Sequence, residues 1–343
     1  MPVEKDNCCG KITRVTLTNA NGDKVQVLDF GARLYSWKVH DKDGKLIDVA
    51  LGYETEEDYQ HDDYFIGATI GRVANRIKNG HFELDGVKYQ LECNNAPNHL
   101  HGGAKGWHSV FWTIESTNAD DNSVTFGYDS KDEEEGYPGN VHVAVTFELT
   151  DNNQLKISYA AETDKATPLM LTSHGYFNLT GEGTPNIDDH EMHVFASKYL
   201  PCDENHICKG HVRDVAGTVY DFRVPKTFGS IPLEQRAFDA CYCLTFTNDH
   251  QMRHAARIAS QTSGLQMDVW TDQPGLQFYN SGYLDVKKGK NGKPYPKTSA
   301  FCFETHAFPD AVNNPDFPSI VLRPGEKYQH KCIYKIGPTG PVQ

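Results

Sequence analysis

Phe82-Glu83-Leu84-Asp85-Gly86-Val87-Lys88-Tyr89-Gln90-Leu91 reads as a β-hairpin. Asp-Gly supplies the positive φ angles that a tight type I′ turn needs, and it stands between two segments that alternate in polarity. Asp151-Asn152-Asn153 plays the same part between Phe147-Glu148-Leu149 and Leu155-Lys156-Ile157. Working outward from these turns, short β-branched or aromatic runs recur along the chain. They are Ile12 to Leu17, Val25 to Phe30, Phe111 to Ser116, Val124 to Tyr128, Val141 to Leu149, Leu155 to Ala161 and Val219 to Phe222, then Cys241 to Phe246, Ala255 to Ala259, Leu265 to Thr271, Leu276 to Tyr279 and Lys327 to Ile336. Helix signals are confined to Glu54 to Gln60 and Leu233 to Phe238, too short and too few for alternating βα units. The pattern predicts an all-β fold, with two large antiparallel sheets packed face to face and polar motifs carried on long loops. No repeat and no Pro/Ser-rich linker divides the chain, so one domain over residues 1–343 is expected.

The formal charge of -13 argues against a nucleic-acid or anionic-membrane partner, since neither is drawn to a net-negative surface without a strong basic patch. The nearest basic run, Lys287-Lys288-Gly289-Lys290-Asn291-Gly292-Lys293, reads as a solvated loop. No apolar run reaches the ~20 residues of a membrane span. The opening residues have no apolar signal-peptide core, and a cytoplasmic location is the expectation. The nine cysteines follow neither a zinc nor a disulfide spacing, which reads as mostly buried thiols.

Five polar constellations could carry chemistry. In Gly71-Arg72-Val73-Ala74-Asn75-Arg76-Ile77 an adjacent amide and guanidinium suit neighbouring hydroxyls, or else the arginines form structural salt bridges. In Asn98-His99-Leu100-His101-Gly102-Gly103, with its two histidines at i and i+2, only one is expected to enter a site. Zinc would need further ligands, and His190-Glu191-Met192-His193 is the only other tight cluster; no metal is expected. His174 follows the apolar Pro168-Leu169-Met170-Leu171-Thr172, where a strand enters a loop. Phe238-Asp239 and Gln273-Pro274-Gly275-Leu276-Gln277-Phe278-Tyr279 pair a carboxylate and an amide with aromatics, the groups that grip diols and cover a pyranose face. Glu304, after the apolar Phe301-Cys302-Phe303, should be partly desolvated and therefore a stronger base. Taken singly, each of these has a structural reading as well.

Together, Gly71 to Ile77, Asn98 to Gly103, His174-Gly175-Tyr176-Phe177-Asn178-Leu179, Gln273 to Tyr279, and Glu304 with Pro309-Asp310-Ala311-Val312-Asn313 resemble the aldose 1-epimerases, or galactose mutarotases, in order and over about residues 12–336. The resemblance implies a single cytosolic β-supersandwich domain without a cofactor. It implies Glu304 as base and His174 as acid, with Asn75, Arg76, His101, Tyr176, Asp239 and Gln277 binding the sugar. Three positions depart from the pattern: Gly175 stands where Ser is frequent, Ala240 where His is frequent, and His306 where Gln is common. The implied substrates are free aldohexoses, D-galactose and D-glucose first, handled by a monomer or weak homodimer. A hexose-6-phosphate 1-epimerase, a non-catalytic sugar-binding protein and a glycoside hydrolase are the competing readings. The first lacks an obvious extra set of basic residues, the second should have lost the acid or the base, and the third normally needs two carboxylates at the reacting centre.

Overall fold

The computed structural model describes residues 3–7, 11–245 and 251–339. Alternation governs the strands as expected. In Val141–Leu149 every second residue, Val141, Val143, Val145, Phe147 and Leu149, is buried while the residues between are more exposed. Each such side chain is worth about 1.5–3 kcal/mol on burial, which fixes the register, because a one-residue slip would turn the whole set outward. The strand pairs with Ser123–Ser130 on one side and Gln154–Thr163 on the other. The hairpin His81–Leu84/Val87–Gln90 forms around Asp85 at φ 52° and Gly86 at φ 80°, with Phe82 buried.

Nine antiparallel strands make the largest sheet, in the order Thr113–Asn118, Ser123–Ser130, Val141–Leu149, Gln154–Thr163, Tyr328–Pro338, Leu265–Thr271, Arg253–Ser260, His190–Val194 and Lys226–Thr227. Two five-stranded sheets accompany it. One runs from Glu4–Asn7 through Thr13–Thr18, Lys24–Leu28 and Arg33–His40 to Leu46–Asp48. The other has the order Arg213–Asp214, Lys198–Leu200, Asp239–Cys243, Gly275–Tyr279 and Cys302–His306. One continuous apolar core draws on all three, with Val25 and Trp37 from the first five-stranded sheet, Phe147 and Met267 from the nine-stranded one, and Tyr242 and Phe278 from the second. The large antiparallel sheets are as expected, but there are three of them rather than two.

Local departures have local causes. Val219 to Phe222 is a turn, not a strand: Phe222 is buried against Phe228 and Phe238, so its apolar character serves loop packing. The strand expected over Cys241 to Phe246 is Asp239–Cys243, and Phe246 lies outside the described residues. The two helical segments are 3₁₀ turns, Glu56–His61 and Leu233–Gln235. Among the described residues no helix is long and apolar enough to cross a membrane.

Candidate active site

Three adjacent strands set the floor of a cleft. In the second five-stranded sheet Gln277 lies directly opposite Glu304, Tyr279 opposite Asp239, and Cys241 opposite Gln277. Directly opposed residues share a face, as do residues two apart on a strand. Asp239, Gln277, Tyr279 and Glu304 therefore project together. His174 follows Thr172–Ser173, a two-residue strand paired with Thr69–Ile70, and its backbone N–H donates to Ala68 O at 2.8 Å. Arg76–Ile77 pairs with His99–Leu100, which brings Arg76 beside His101.

Glycine is required where this wall closes. A Cβ on Gly102, at φ +82°, would lie 1.9 Å from the carbonyl oxygen of Gly71, and one on Gly71 would strike the Trp107 ring at 2.0 Å. Only bare backbone permits that approach. It seats His101, itself at φ 51°, so that its N–H donates to Asn75 O at 3.0 Å while its Nδ1 accepts the Asn75 N–H at 3.1 Å. With Nδ1 an acceptor, the single proton of a neutral ring sits on Nε2. Burial, with the nearby His174 second, holds His101 well below the usual imidazole range, so the ring is neutral.

His174 Nε2 stands 3.7 Å from Glu304 Oε1, and both side chains are almost wholly buried. Nδ1 of His174 and Oε2 of Glu304 have no partner among the described residues. Two buried polar atoms left open on a facing acid and base point to a ligand that completes them. Burial pushes the Glu304 carboxyl up to about 8, helped by the charge of Asp239 and opposed by Arg76. Burial likewise pushes His174 down to about 4. Between those values the pair holds one proton, resting on Glu304 in the free protein. His174 is fixed from both sides by rings, Tyr176 stacked at 4.9 Å and Phe65 at 6.1 Å between centroids.

Asp239 is the polar hub. Its Oδ1 accepts Gln277 Nε2 at 2.6 Å, while Oδ2 faces Arg76 at 4.0 Å and His206 Nδ1 at 3.5 Å. Gln277 Oε1 is buried without a partner among the described residues, and Arg76 Nε donates to Asn95 Oδ1 at 3.2 Å. An alternating set of donors and acceptors is thereby presented to a polyol.

His101, His174 and Glu304 bring three ligating atoms within 4.8 Å of one another, an outline that invites a cation. The His101 tautomer opposes it: Nδ1 spends its lone pair on Asn75 and Nε2 carries the proton, so neither nitrogen can bind a metal. The set fits a proton-transfer site better than a metal centre.

The aldose 1-epimerase family model matches residues 13–335. This chain belongs to the aldose 1-epimerase family. It is 44% identical over 316 residues to the galactose mutarotase of Homo sapiens, covering 91% of each chain. It is 36% identical over 330 residues to the aldose 1-epimerase of Escherichia coli K12, covering 94% of each. Among solved structures, the GalM/aldose epimerase homologue from C. elegans superposes with a TM-score of 0.87 at 31% identity, over 95% of this chain and 98% of the other. The galactose 1-epimerase from Lactobacillus acidophilus gives 0.84 at 26%, over 99% and 100%. The chain is thus an epimerase, of the isomerase class, with a free sugar as substrate.

All eight site residues expected from the sequence, Asn75, Arg76, His101, His174, Tyr176, Asp239, Gln277 and Glu304, lie at or against this cleft. The Tyr176 ring stacks on His174 while its hydroxyl donates to Tyr64 O at 3.0 Å and keeps its acceptor capacity. The neighbouring candidates are structural. Arg72 is buried, bonding Ser130 Oγ at 3.0 Å and the carbonyls of Pro138 and Lys131. His99 bridges Glu92 O and the Tyr137 hydroxyl and faces away from the cleft; i and i+2 would share a face on a regular strand, but the strand ends at Leu100 and His101, at φ 51°, turns off it. Gly175 has room for nothing more, since a Cβ there would meet the Phe177 ring at 2.6 Å. His206 and Tyr283, linked at 2.9 Å, are rim residues without a sequence signal; Tyr279 stood at the end of a recognised motif.

Proposed function

We propose that the enzyme interconverts the α and β anomers of free hexoses, D-galactose and D-glucose first, with Glu304 and His174 as its proton-transfer pair and no cofactor. Ring opening needs the C1 hydroxyl proton removed and one delivered to the ring oxygen. Glu304 takes the first and His174 gives the second; the C1–C2 bond then turns, and the pair in swapped roles closes the ring. The observation that carries this is the buried 3.7 Å contact between two groups that share one proton, each with an unpartnered atom. A pair holding a single proton is ready for the step once that proton lies on His174. The reaction ends with the proton count unchanged.

Each group contributes roughly 10²–10⁴-fold by acid–base catalysis. His101, held with its proton on Nε2, and the Arg76 guanidinium are placed to stabilise negative charge on oxygen during opening. Asn75, Arg76, His101, Asp239 and Gln277 hold the hydroxyls, and Tyr176 backs the acid. The continuous core across all three sheets supports a single domain. The seven described cysteines are unbridged, in keeping with a cytoplasmic protein. The reading includes no nucleic-acid or membrane partner and a monomer or weak homodimer. Among the described cleft residues Arg76 is the one arginine or lysine, and it already faces Asp239, which leaves a sugar phosphate without a partner.

The test is polarimetric: the optical rotation of freshly dissolved α-D-galactose is followed with and without enzyme. Accelerated decay that Glu304→Ala abolishes is expected. No acceleration, or one undiminished in the variant, sinks the reading.

A further inference from the structure

Beside the cleft lies a feature that sugar chemistry does not use. Cys202 and Cys208 face each other across an antiparallel bridge, their sulfurs 3.6 Å apart. The flanking hydrogen bonds, Asp203 N–H to Ile207 O at 3.0 Å and Lys209 N–H to Pro201 O at 2.9 Å, make the two cysteines a non-hydrogen-bonded pair. Such pairs have Cα atoms about 4.5 Å apart, inside the range a disulfide spans. Cys202 is partly exposed and Cys208 buried, the arrangement of an attacking and a resolving thiol. The segment between them is not idle. It carries His206, at φ 59°, which bonds the Tyr283 hydroxyl at 2.9 Å and sits 3.5 Å from Oδ2 of Asp239.

We propose that Cys202 and Cys208 are a reversible redox dithiol, oxidised by small-molecule disulfides, whose closure displaces His206 and weakens sugar binding at the Asp239 side of the cleft. The Cys202 thiolate attacks one sulfur of the small disulfide and expels its first thiolate. Cys208, giving its proton to solvent, then attacks the Cys202 sulfur of the mixed disulfide and expels the second. The protein loses two electrons and two protons, and the small disulfide becomes two thiols. The hydrogen bond from Cys208 lowers the Cys202 thiol below its ordinary range, which favours Cys202 as the attacking group. Bond formation draws sulfurs now 3.6 Å apart to about 2.0 Å. That contraction acts on both ends of the short segment that carries His206, the route by which closure moves it from Asp239.

The full chain is equilibrated with reduced and oxidised glutathione at graded ratios. Non-reducing peptide mapping should then show a Cys202–Cys208 cross-link that dithiothreitol reverses. The Michaelis constant for galactose should rise about fivefold on oxidation, the effect of one lost hydrogen bond. Cys202→Ser and Cys208→Ser should keep the reduced Michaelis constant and lose the redox response. Glutathione resting on Cys202 alone, a cross-link to Cys241 or Cys243 instead, or a Michaelis constant indifferent to oxidation overturns the proposal. Mapping on the unmodified chain decides the chemistry even where a variant fails to fold or the protein shows no mutarotation.

Discussion

Glu304→Gln should make the protein more stable and nearly inactive at once. The substitution keeps the side chain's size and removes only its ability to ionise. In the folded chain burial lifts the Glu304 carboxyl from its ordinary 4.5 to about 8. Between those pH values the folded state holds a proton that the unfolded state has released, so wild-type stability falls as pH rises through this window. The slope is about 1.4 kcal/mol per pH unit, and glutamine does not share it. The gain of the variant over wild type should be near zero at pH 4.5, about 3 kcal/mol at pH 7 and about 5 kcal/mol above pH 8. Urea denaturation at those three pH values measures it. Polarimetry on the same samples should show mutarotation reduced by at least about 10²-fold. A variant no more stable than wild type at pH 8, or one within tenfold of its activity, would refute the claim that a desolvated, protonated carboxyl is poised here as the base.

His174→Asn should lower kcat by roughly 10²–10⁴-fold with little change in KM, because its imidazole acts on the reacting oxygen and not on the sugar's other hydroxyls. In wild type, kcat/KM should be level from about pH 5 to 7 and fall tenfold per unit above about 8, as the pair loses its shared proton; a profile rising through pH 8 contradicts the one-proton state. Gly102→Ala places a Cβ 1.9 Å from Gly71 O at φ +82°, and should cost more than about 2 kcal/mol in thermal or urea unfolding and depress activity by unseating His101. Burial holds His306 neutral down to about 4, so acidification from 6.5 charges the unfolded state first and drains stability. His306→Gln should therefore lose about 2 kcal/mol less than wild type between pH 7 and pH 5, read from paired urea melts.

The strands were legible where one face is buried and the other wet, since the two-residue period is a property of the backbone. Val141–Leu149 shows it to the residue, and Leu265–Thr271 at every position but the buried Asp268. Val219 to Phe222 misled because the aromatics of a packed loop look like those of a strand; only the neighbours Phe228 and Phe238 distinguish the two. In the site, the resemblance of the five motifs to the aldose 1-epimerases picked out the eight cleft residues, yet not their states. His99 and His101 differ in role by which side of a short strand they leave, and Tyr176 by which carbonyl its hydroxyl reaches. His206 offered nothing to read, because its importance lies in a contact with Asp239 from a separate loop.

What the amino-acid order settled alone was the all-β architecture, the turns, and the candidate acid, base and hydroxyl-gripping groups, all consequences of local backbone geometry and side-chain chemistry. Tertiary structure decided the rest. His174 and Glu304, 130 residues apart in sequence, come within 3.7 Å only through sheet pairing and loop packing. Their protonation is reversed from its aqueous order, with the carboxyl holding the proton and the imidazole neutral. That reversal is desolvation, a sum over every apolar group packed around the pair, and no stretch of sequence contains it.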